Sequence, residues 1–319
     1  MTLRIEKLSK NSGNRSVLRD FSFEAAPGEV FGILASDDEY LNGVLRIIAG
    51  IEKADSGTIF LDGRMLKKSE HSVGYFTDDS ASRWREFFGK NNSDNYSITR
   101  MESLERAIDS MSRVFLVENP VQSLDSTNTK RIAELLRKRT RETGAITIVA
   151  SNDPQEIFQT CDVVGIMHGG EIIQIGKPET VYSQPESIAA AKVFGEINLI
   201  SAKRLTSNKM NVPIFFTELG EHKLSTENVE KTELGAINQS VTLAVRPEYI
   251  TLSFGASFPA DNLIRAKVTD IEFRGSLTSV TLDSAGLQLT ALVLRVVGLN
   301  IEEECVLGIP PSKIRILTK

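Results

Sequence analysis

Three short stretches of this 319-residue chain carry the side chains that could do chemistry, and each follows a run that reads as a buried strand. "ASDDEYLNG" (Ala35–Gly43) follows "VFGIL", "NPVQSLD" (Asn119–Asp125) follows "VFLVE", and "ND" (Asn152–Asp153) follows "AITIVAS". A strand–loop–helix connection becomes a phosphate cradle when it reads G-x-x-x-x-G-K-[ST]. Backbone N–H groups then wrap the phosphates, the lysine reaches the terminal ones and the hydroxyl holds magnesium. The first stretch instead supplies Asp37, Asp38 and Glu39. A carboxylate about 4 Å from a phosphate charge costs roughly 1 kcal/mol in water and up to about 4 near a protein surface, against about 2 at best from a helix N-terminus. Three of them make the loop hostile to a triphosphate. Asn119, in the second stretch, cannot take a proton from water at neutral pH.

The elements that position these residues are legible from periodicity. "VFGIL", "VFLVE", "AITIVAS" (Ala145–Ser151) and "VVGIMH" (Val163–His168) are short, β-branched apolar runs bounded by polar breakers, the pattern of strands buried on both faces. "STNTKRIAELLRKRTRETG" is an amphipathic helix, with Ser126 or Asp125 as N-cap, Ile132, Leu135 and Leu136 on one face and Gly144 as its stop. Strand, helix, strand at this spacing predicts a parallel α/β core over the first 200 residues. After about residue 205, "VTLAVRPEYITLSF", "IRAKVTDIEFRG", "LTSVTLDSAGLQLTALVLRVVG" and "IRILTK" alternate apolar and polar positions, which predicts a small antiparallel barrel. The expected domains are 1–200 and 201–319, with the boundary inside 198–240, where "NLISAKRLTSNKMN" and "STENVEKTELGAINQS" are polar and weakly periodic.

Composition narrows the function. Hydrophobic content of 41% and charged content of 25% are ordinary for a globular chain with a sizeable core. A formal net charge of −5 speaks against a nucleic-acid partner, whose phosphates call for a basic face. No basic segment followed by an apolar core opens the sequence, and no run approaches the roughly 18 apolar residues of a membrane span. The expectation is a cytoplasmic chain that reaches the inner face of the plasma membrane only by docking on a partner. Cys161 and Cys305 match no metal or redox spacing and read as buried thiols. His71, His168 and His222 are scattered, so no metal centre is expected.

Four further runs, in order, carry a resemblance. "LRIIAGIEKADSGTIFLDG" (Leu45–Gly63), "PVQSLDS" (Pro120–Ser126), "GGEIIQIGKPETVYSQPESIAAAKVFG" (Gly169–Gly195) and "VTLAVRPE" (Val241–Glu248) are similar to the ATPase subunits of ABC importers. The similarity is to the branch with a C-terminal β-barrel regulatory domain, as in the maltose, polyamine, ferric-iron and sulfate importers. It implies an ABC-type P-loop ATPase fold followed by a small OB-like (TOBE-type) barrel. Only 39 residues lie between Asp78 and Glu118, fewer than the family has, which implies a shortened helical subdomain. "SRWREFFG" and "YSITRMESLERAIDSMSR" could make one short and one longer helix there. Trp84, Phe87 and Phe88 then serve either as core or as a substitute docking patch for a membrane subunit.

Carried over residue by residue, the resemblance puts the phosphate-loop glycines at Ala35, Asp38 and Tyr40, the lysine at Leu41 and the hydroxyl positions at Asn42 and Gly43. The adenine-stacking aromatic falls near Ser12 and the magnesium-contacting glutamine on Asp78. The metal-linked aspartate becomes Glu118, the general base Asn119 and the γ-phosphate-sensing histidine Asn152. The signature motif falls on Asp94, Asn95, Tyr96, Ser97 and Ile98 and keeps none of its residues. The segment with Ser123, Leu124 and Asp125 stays near the family form, although Asp125 also reads as a helix cap. Arg246, in "RPE", reads as a structural residue of the barrel.

The expectation is therefore a homologue of the ATP-binding subunit that has lost hydrolysis and holds neither ATP nor magnesium as a resident cofactor. It would form homodimers, or heterodimers with a true ATPase subunit, and dock on a permease to regulate or scaffold it. Two other readings stand beside it: a divergent but working ATP-binding subunit coupling hydrolysis to uptake, and a small-ligand sensor built on the barrel alone.

Overall fold

The computed structural model describes residues 2–36, 38–66, 73–77, 93–109, 112–207, 212–227, 236–253, 261–294 and 298–317; at 38, 39 and 93–100 only the backbone is described. The chain divides into two compact units, Met1–Tyr182 and Ser183–Lys319.

The first unit contains two sheets. β1 (Leu3–Ser12) and β2 (Arg15–Ala25) form an antiparallel hairpin extended by β4 (Ser56–Leu61) and β5 (Arg64–Met65), in the order β2-β1-β4-β5. The second sheet contains β3 (Val30–Leu34), β6 (Val73–Phe76), β7 (Val114–Glu118), β8 (Ile146–Ser151), β9 (Val163–His168) and β10 (Glu171–Gly176). Its order is β10-β9-β3-β8-β7-β6, parallel throughout except for β10. β3 and β8 are buried at every residue, as a sheet covered on both faces requires. The four expected strands thus form, and they lie side by side.

Helices follow the strands. α1 (Asp38–Ile48) leaves β3 and packs Leu41, Val44, Leu45 and Ile48 into the core, a stripe at helical spacing. α2 (Ser93–Asp109) precedes β7, and α3 (Ser126–Thr143) joins β7 to β8. The N-cap of α3 is Asp125, not Ser126, and it stops at Gly144, whose φ of +64° is the left-handed conformation glycine adopts freely. Ile132, Ala133 and Leu136 form its buried face, while Leu135 is only partly buried. α4 (Pro154–Thr160) leaves β8, and α5 (Pro178–Ser183) closes the unit. Of the shortened helical region, α2 covers the longer expected helix; Trp84, Phe87 and Phe88 lie outside the described residues. Among the described residues no helix is long and apolar enough to cross a membrane.

The second unit opens with α6 (Ile188–Val193), followed by two five-stranded antiparallel sheets. One orders β13-β12-β11-β14-β20, from β11 (Asn198–Ser207), β12 (Pro213–Thr217), β13 (Lys223–Ser225), β14 (Ser240–Val245) and β20 (Arg315–Leu317). The other orders β15-β19-β16-β17-β18, from β15 (Thr251–Ser253), β16 (Asn262–Arg274), β17 (Leu277–Ser284), β18 (Leu287–Val293) and β19 (Glu304–Ile309). β16 alternates buried and exposed residues from Asn262 to Thr269, and one continuous core from Ile200 to Ile316 lies between the inner faces.

The division between units falls after Tyr182, ahead of the 198–240 interval expected from sequence. The reason is β11. "NLISAKRLTS" looks polar because Ile200 and Ala202 are its only fully buried apolar residues, Asn198 is buried beside them, and Ser201 and Lys203 face out; yet it pairs with both β12 and β14. The interval expected to hold the boundary thus contains the central strand of a five-stranded sheet. Arg246 is buried at 3% and donates from Nη1 to the Glu196 carbonyl at 3.2 Å, a structural bond within the second unit.

Candidate functional site

The residues singled out by sequence converge on the C-terminal edge of the parallel sheet, where open α/β folds place their ligands. Leu34 lies beside Ser151, and Glu118 beside Ala150. The turns that follow are joined by backbone bonds: Ala35 N–H donates to the Ser151 carbonyl at 3.4 Å, and Asn119 N–H to the Ala150 carbonyl at 3.0 Å. Ala35, Glu118, Asn119 and Asn152 thereby leave three neighbouring strand ends.

On the β3–α1 side, the core has taken up the positions. Leu41, where the resemblance puts a lysine, is 1% exposed and belongs to the core cluster with Ala35, Val44 and Leu45. Tyr40 packs partly against that cluster, and the Arg15 guanidinium lies 5.3 Å from its ring centroid. Arg15 is the hairpin partner of Ser12, the expected adenine-stacking position, so a cation–π contact ties the hairpin tip to the start of α1. Asn42 buries Oδ1 with no hydrogen-bond partner among the described residues. A methyl group on Gly43 would stand 3.0 Å from Val17 Cγ1, so α1 and β2 approach closely there. Asp38 opens α1; its side chain, that of Glu39 and all of Asp37 and Asp78 lie outside the described residues. Asp94, Asn95, Tyr96, Ser97 and Ile98 all fall in the first turns of α2, where only the backbone is described.

On the β7–β8 side, the positions stay open and polar. Glu118 is half-buried and accepts from the Tyr75 hydroxyl at 3.3 Å. Asn119 sits at φ +44° and Ser123 at φ +64°, both in the left-handed region that costs a non-glycine residue energy. Between them the chain turns tightly: Gln122 N–H donates to the Asn119 carbonyl at 3.2 Å, and Leu124 N–H to the Val121 carbonyl at 3.1 Å. Asp125 then caps α3, accepting on Oδ1 from Thr127 N–H at 2.9 Å and Asn128 N–H at 3.0 Å. The Asn128 backbone bond is the largest cause holding the Asp125 carboxyl below the usual range.

Sequence reasoning missed Glu156. It is only 3% exposed, and its carboxylate accepts from Val121 N–H on Oε1 and from the Ser151 hydroxyl on Oε2, both at 2.5 Å. It pins the turn after β7 to the end of β8. The signal was present: Asp153 followed three residues later by Glu156 is a capping-box spacing. Asp153 does cap α4, accepting from Gln155 N–H at 2.8 Å, while Glu156 turns to the neighbouring loop.

Asn119, Gln122, Ser123, Asn152, Gln155 and Gln159 line a cleft of about 370 Å³, floored by Val121, Thr129 and Glu156. The sequence-predicted base and sensor positions thus share one cavity, and both carry carboxamides. Cys161 and Cys305 are free and buried, and burial pushes the Cys161 thiol up to about 12.

The TOBE domain family matches residues 243–317, from within β14 to the end of β20. The Fe(3+) ions import ATP-binding protein FbpC of Photorhabdus laumondii is 25% identical, with 99% of this chain and 97% of the relative covered. The spermidine/putrescine import ATP-binding protein PotA of Methylococcus capsulatus is 25% identical, over 87% of this chain and 79% of its own. A solved nucleotide-free ATP-binding cassette from an ABC transporter aligns with 61% of this chain and 100% of its own, at 15% identity and a TM-score of 0.49. The chain is similar along its length to ABC importer ATP-binding subunits, and its residues 243–317 match the TOBE domain family.

Proposed function

We propose that this chain is a non-hydrolysing counterpart of an importer ATP-binding subunit, acting by binding at the inner face of the plasma membrane. The observation that carries the reading is Leu41. At the place of a phosphate-reaching lysine stands an apolar side chain held inside the core, and at the place of the general base stands Asn119, which cannot hold a proton. In the proposed role the chain pairs with itself or with an active ATPase subunit and docks on a permease, regulating or scaffolding the importer without turnover. ATP and magnesium are not resident cofactors in this reading.

A second reading, a working ATP-binding subunit that couples hydrolysis to uptake, is favoured by the similarity along 99% of the chain to a relative named for ATP binding. Isothermal titration of the purified chain with ATP and magnesium separates the two. No heat of binding up to about 1 mM nucleotide, a free-energy limit of about −4 kcal/mol, supports the first. Micromolar binding with steady turnover overturns it in favour of the second. A pull-down with a permease tests the transport association in either case. The cargo is a separate matter: relatives of equal identity are named for ferric iron and for polyamines, so similarity at this level does not select a solute.

A further inference from the structure

The hairpin of β16 and β17 outruns its neighbour in the sheet. β19 pairs with β16 only from Asn262 to Lys267. The last bonds between them run from Val268 N–H to the Glu303 carbonyl at 3.0 Å and from Glu302 N–H to the Val268 carbonyl at 2.8 Å. Beyond that point β16 continues to Arg274 with β17 on one side, and among the described residues no strand pairs on the other. Such an edge is a template for pairing with another chain, which natural edges resist with proline, bulges or repelling charges. The stretch "DIEFR" (Asp270–Arg274) has no proline, a bulge precedes it between Val268 and Asp270, and its charges are of both signs. Ile271 packs against the barrel core, and Phe273, two residues on and on the same face, is 80% exposed. The apolar face thus runs past the barrel into solvent. At the turn, a methyl group on Gly275 would meet nothing within 4 Å.

The charges say which chain fits. If a second copy continues the sheet antiparallel, with the apolar face kept on one side, the two-fold axis must pass through a residue. An axis through Asp270, Glu272 or Arg274 sets that charge against itself, and one through Ile271 sets Asp270 against Glu272. Like charges directly opposite each other destabilise a strand pair. An axis through Phe273 opposes no like charges: Phe273 meets Phe273 of the second copy, and Glu272 meets Arg274 twice. Within one chain Arg274 already holds Glu272, donating from Nε at 2.8 Å and Nη2 at 2.6 Å, and donates from Nη1 to Glu196 at 2.8 Å. These pairs are exposed, so they are worth little and exchange readily for the same contact across the edge. The edge is complementary to itself in one register.

We propose that two copies of this chain pair edge to edge through Asp270–Arg274, with the two-fold axis at Phe273. The inference rests on the self-pairing in the reading above and gives it a surface. It is tested without nucleotide, so its failure and the failure of the non-hydrolysing reading are distinguishable. Sedimentation of the full-length chain should show a concentration-dependent dimer with a Kd of about 0.1 mM, since a contact of one strand edge is small. Glu272→Arg and Arg274→Glu each set like charges opposite one another and should each weaken self-association at least about tenfold. Mixing the two variants should restore it, because every Arg then faces a Glu. Phe273→Cys should form a covalent dimer under mild oxidation faster than Leu263→Cys, an exposed control on the part of β16 that β19 already pairs. The native Cys161 and Cys305 are buried and stay out of this reaction. Unchanged thermal melting shows that the variants fold. A monomer at every concentration overturns the proposal. So does a mixture that stays monomeric, cross-linking no faster than the control, or association only with a different ATP-binding subunit.

Discussion

The two sides of one strand edge are packed in opposite ways. At the end of β3, the positions the resemblance gives to phosphate binding are packed inward: Ala35 and Leu41 are core residues, and Arg15 lies over the Tyr40 ring. At the ends of β7 and β8, the corresponding positions carry hydrogen-bonding side chains, and Asn119 and Asn152 line a cavity. The difference follows from where each side chain points. Leu41 lies on the stripe with Val44, Leu45 and Ile48, so an apolar residue there gains burial. Asn119 and Asn152 leave strand ends toward solvent, where an apolar replacement would gain little. Packing dictates the first side and chemistry remains free on the second.

The strongest way to break that comparison is to restore charge on each side. Leu41→Lys puts an ammonium group at a site only 1% exposed, and a buried charge without a partner costs about 3–5 kcal/mol. Urea unfolding should show that loss, with the variant close to unfolded at room temperature. A variant as stable as the parent, with regained affinity for ATP, would mean the side chain swings out into an intact phosphate loop. Glu156→Ala tests the pin on the open side. It leaves the buried Val121 N–H without its 2.5 Å acceptor, for a loss of about 1–3 kcal/mol. Hydrogen exchange should accelerate first at Val121 and in the turn that follows, and uniform acceleration through β7 would contradict a local role.

How much of this could be read from sequence also divides along the edge. The parallel strands were legible because continuous apolar runs such as Val30–Leu34 have one structural use, and α3 was legible from its periodicity and Gly144. β11 was not, since its inward face has only Ile200 and Ala202 to mark it among polar neighbours. At the site, the resemblance picked out Leu41, Glu118, Asn119 and Asn152, but it could not say that Leu41 joins the core while Asn119 and Asn152 share a cavity. Glu156 was overlooked because its two partners come from a neighbouring loop and the end of β8, while its capping-box spacing pointed only to its own helix.

Smaller effects belong to the open wall itself. Asn119→Glu restores a carboxylate at φ +44°, where asparagine is tolerated better than most residues, and should cost about 1 kcal/mol through that backbone conformation. Asn152→His, at an exposed position, should change stability by less than about 0.5 kcal/mol. Neither alone nor together should they confer ATPase activity, because Leu41 still fills the other side. Turnover in the double variant, measured by phosphate release, would show that the filled side is no obstacle.

The smallest effect separates the sides by pH. Asp125, which caps α3 beside the cleft, has a folded-state pKa below the ordinary aspartate value, chiefly through the Asn128 N–H bond. A depressed carboxyl contributes stability that is fully present above the unfolded pKa of about 3.9 and is lost as pH falls through the folded value. Asp125→Ala should therefore melt below the parent at pH 7, and the gap should narrow as pH is lowered past about 4. Leu41→Ala creates a cavity worth about 2–5 kcal/mol by loss of apolar contact, with no proton involved, so its gap should stay the same over that range. If both gaps moved together with pH, the two sides would be coupled through one titrating network, and the separation between a packed side and a hydrogen-bonding side would fail.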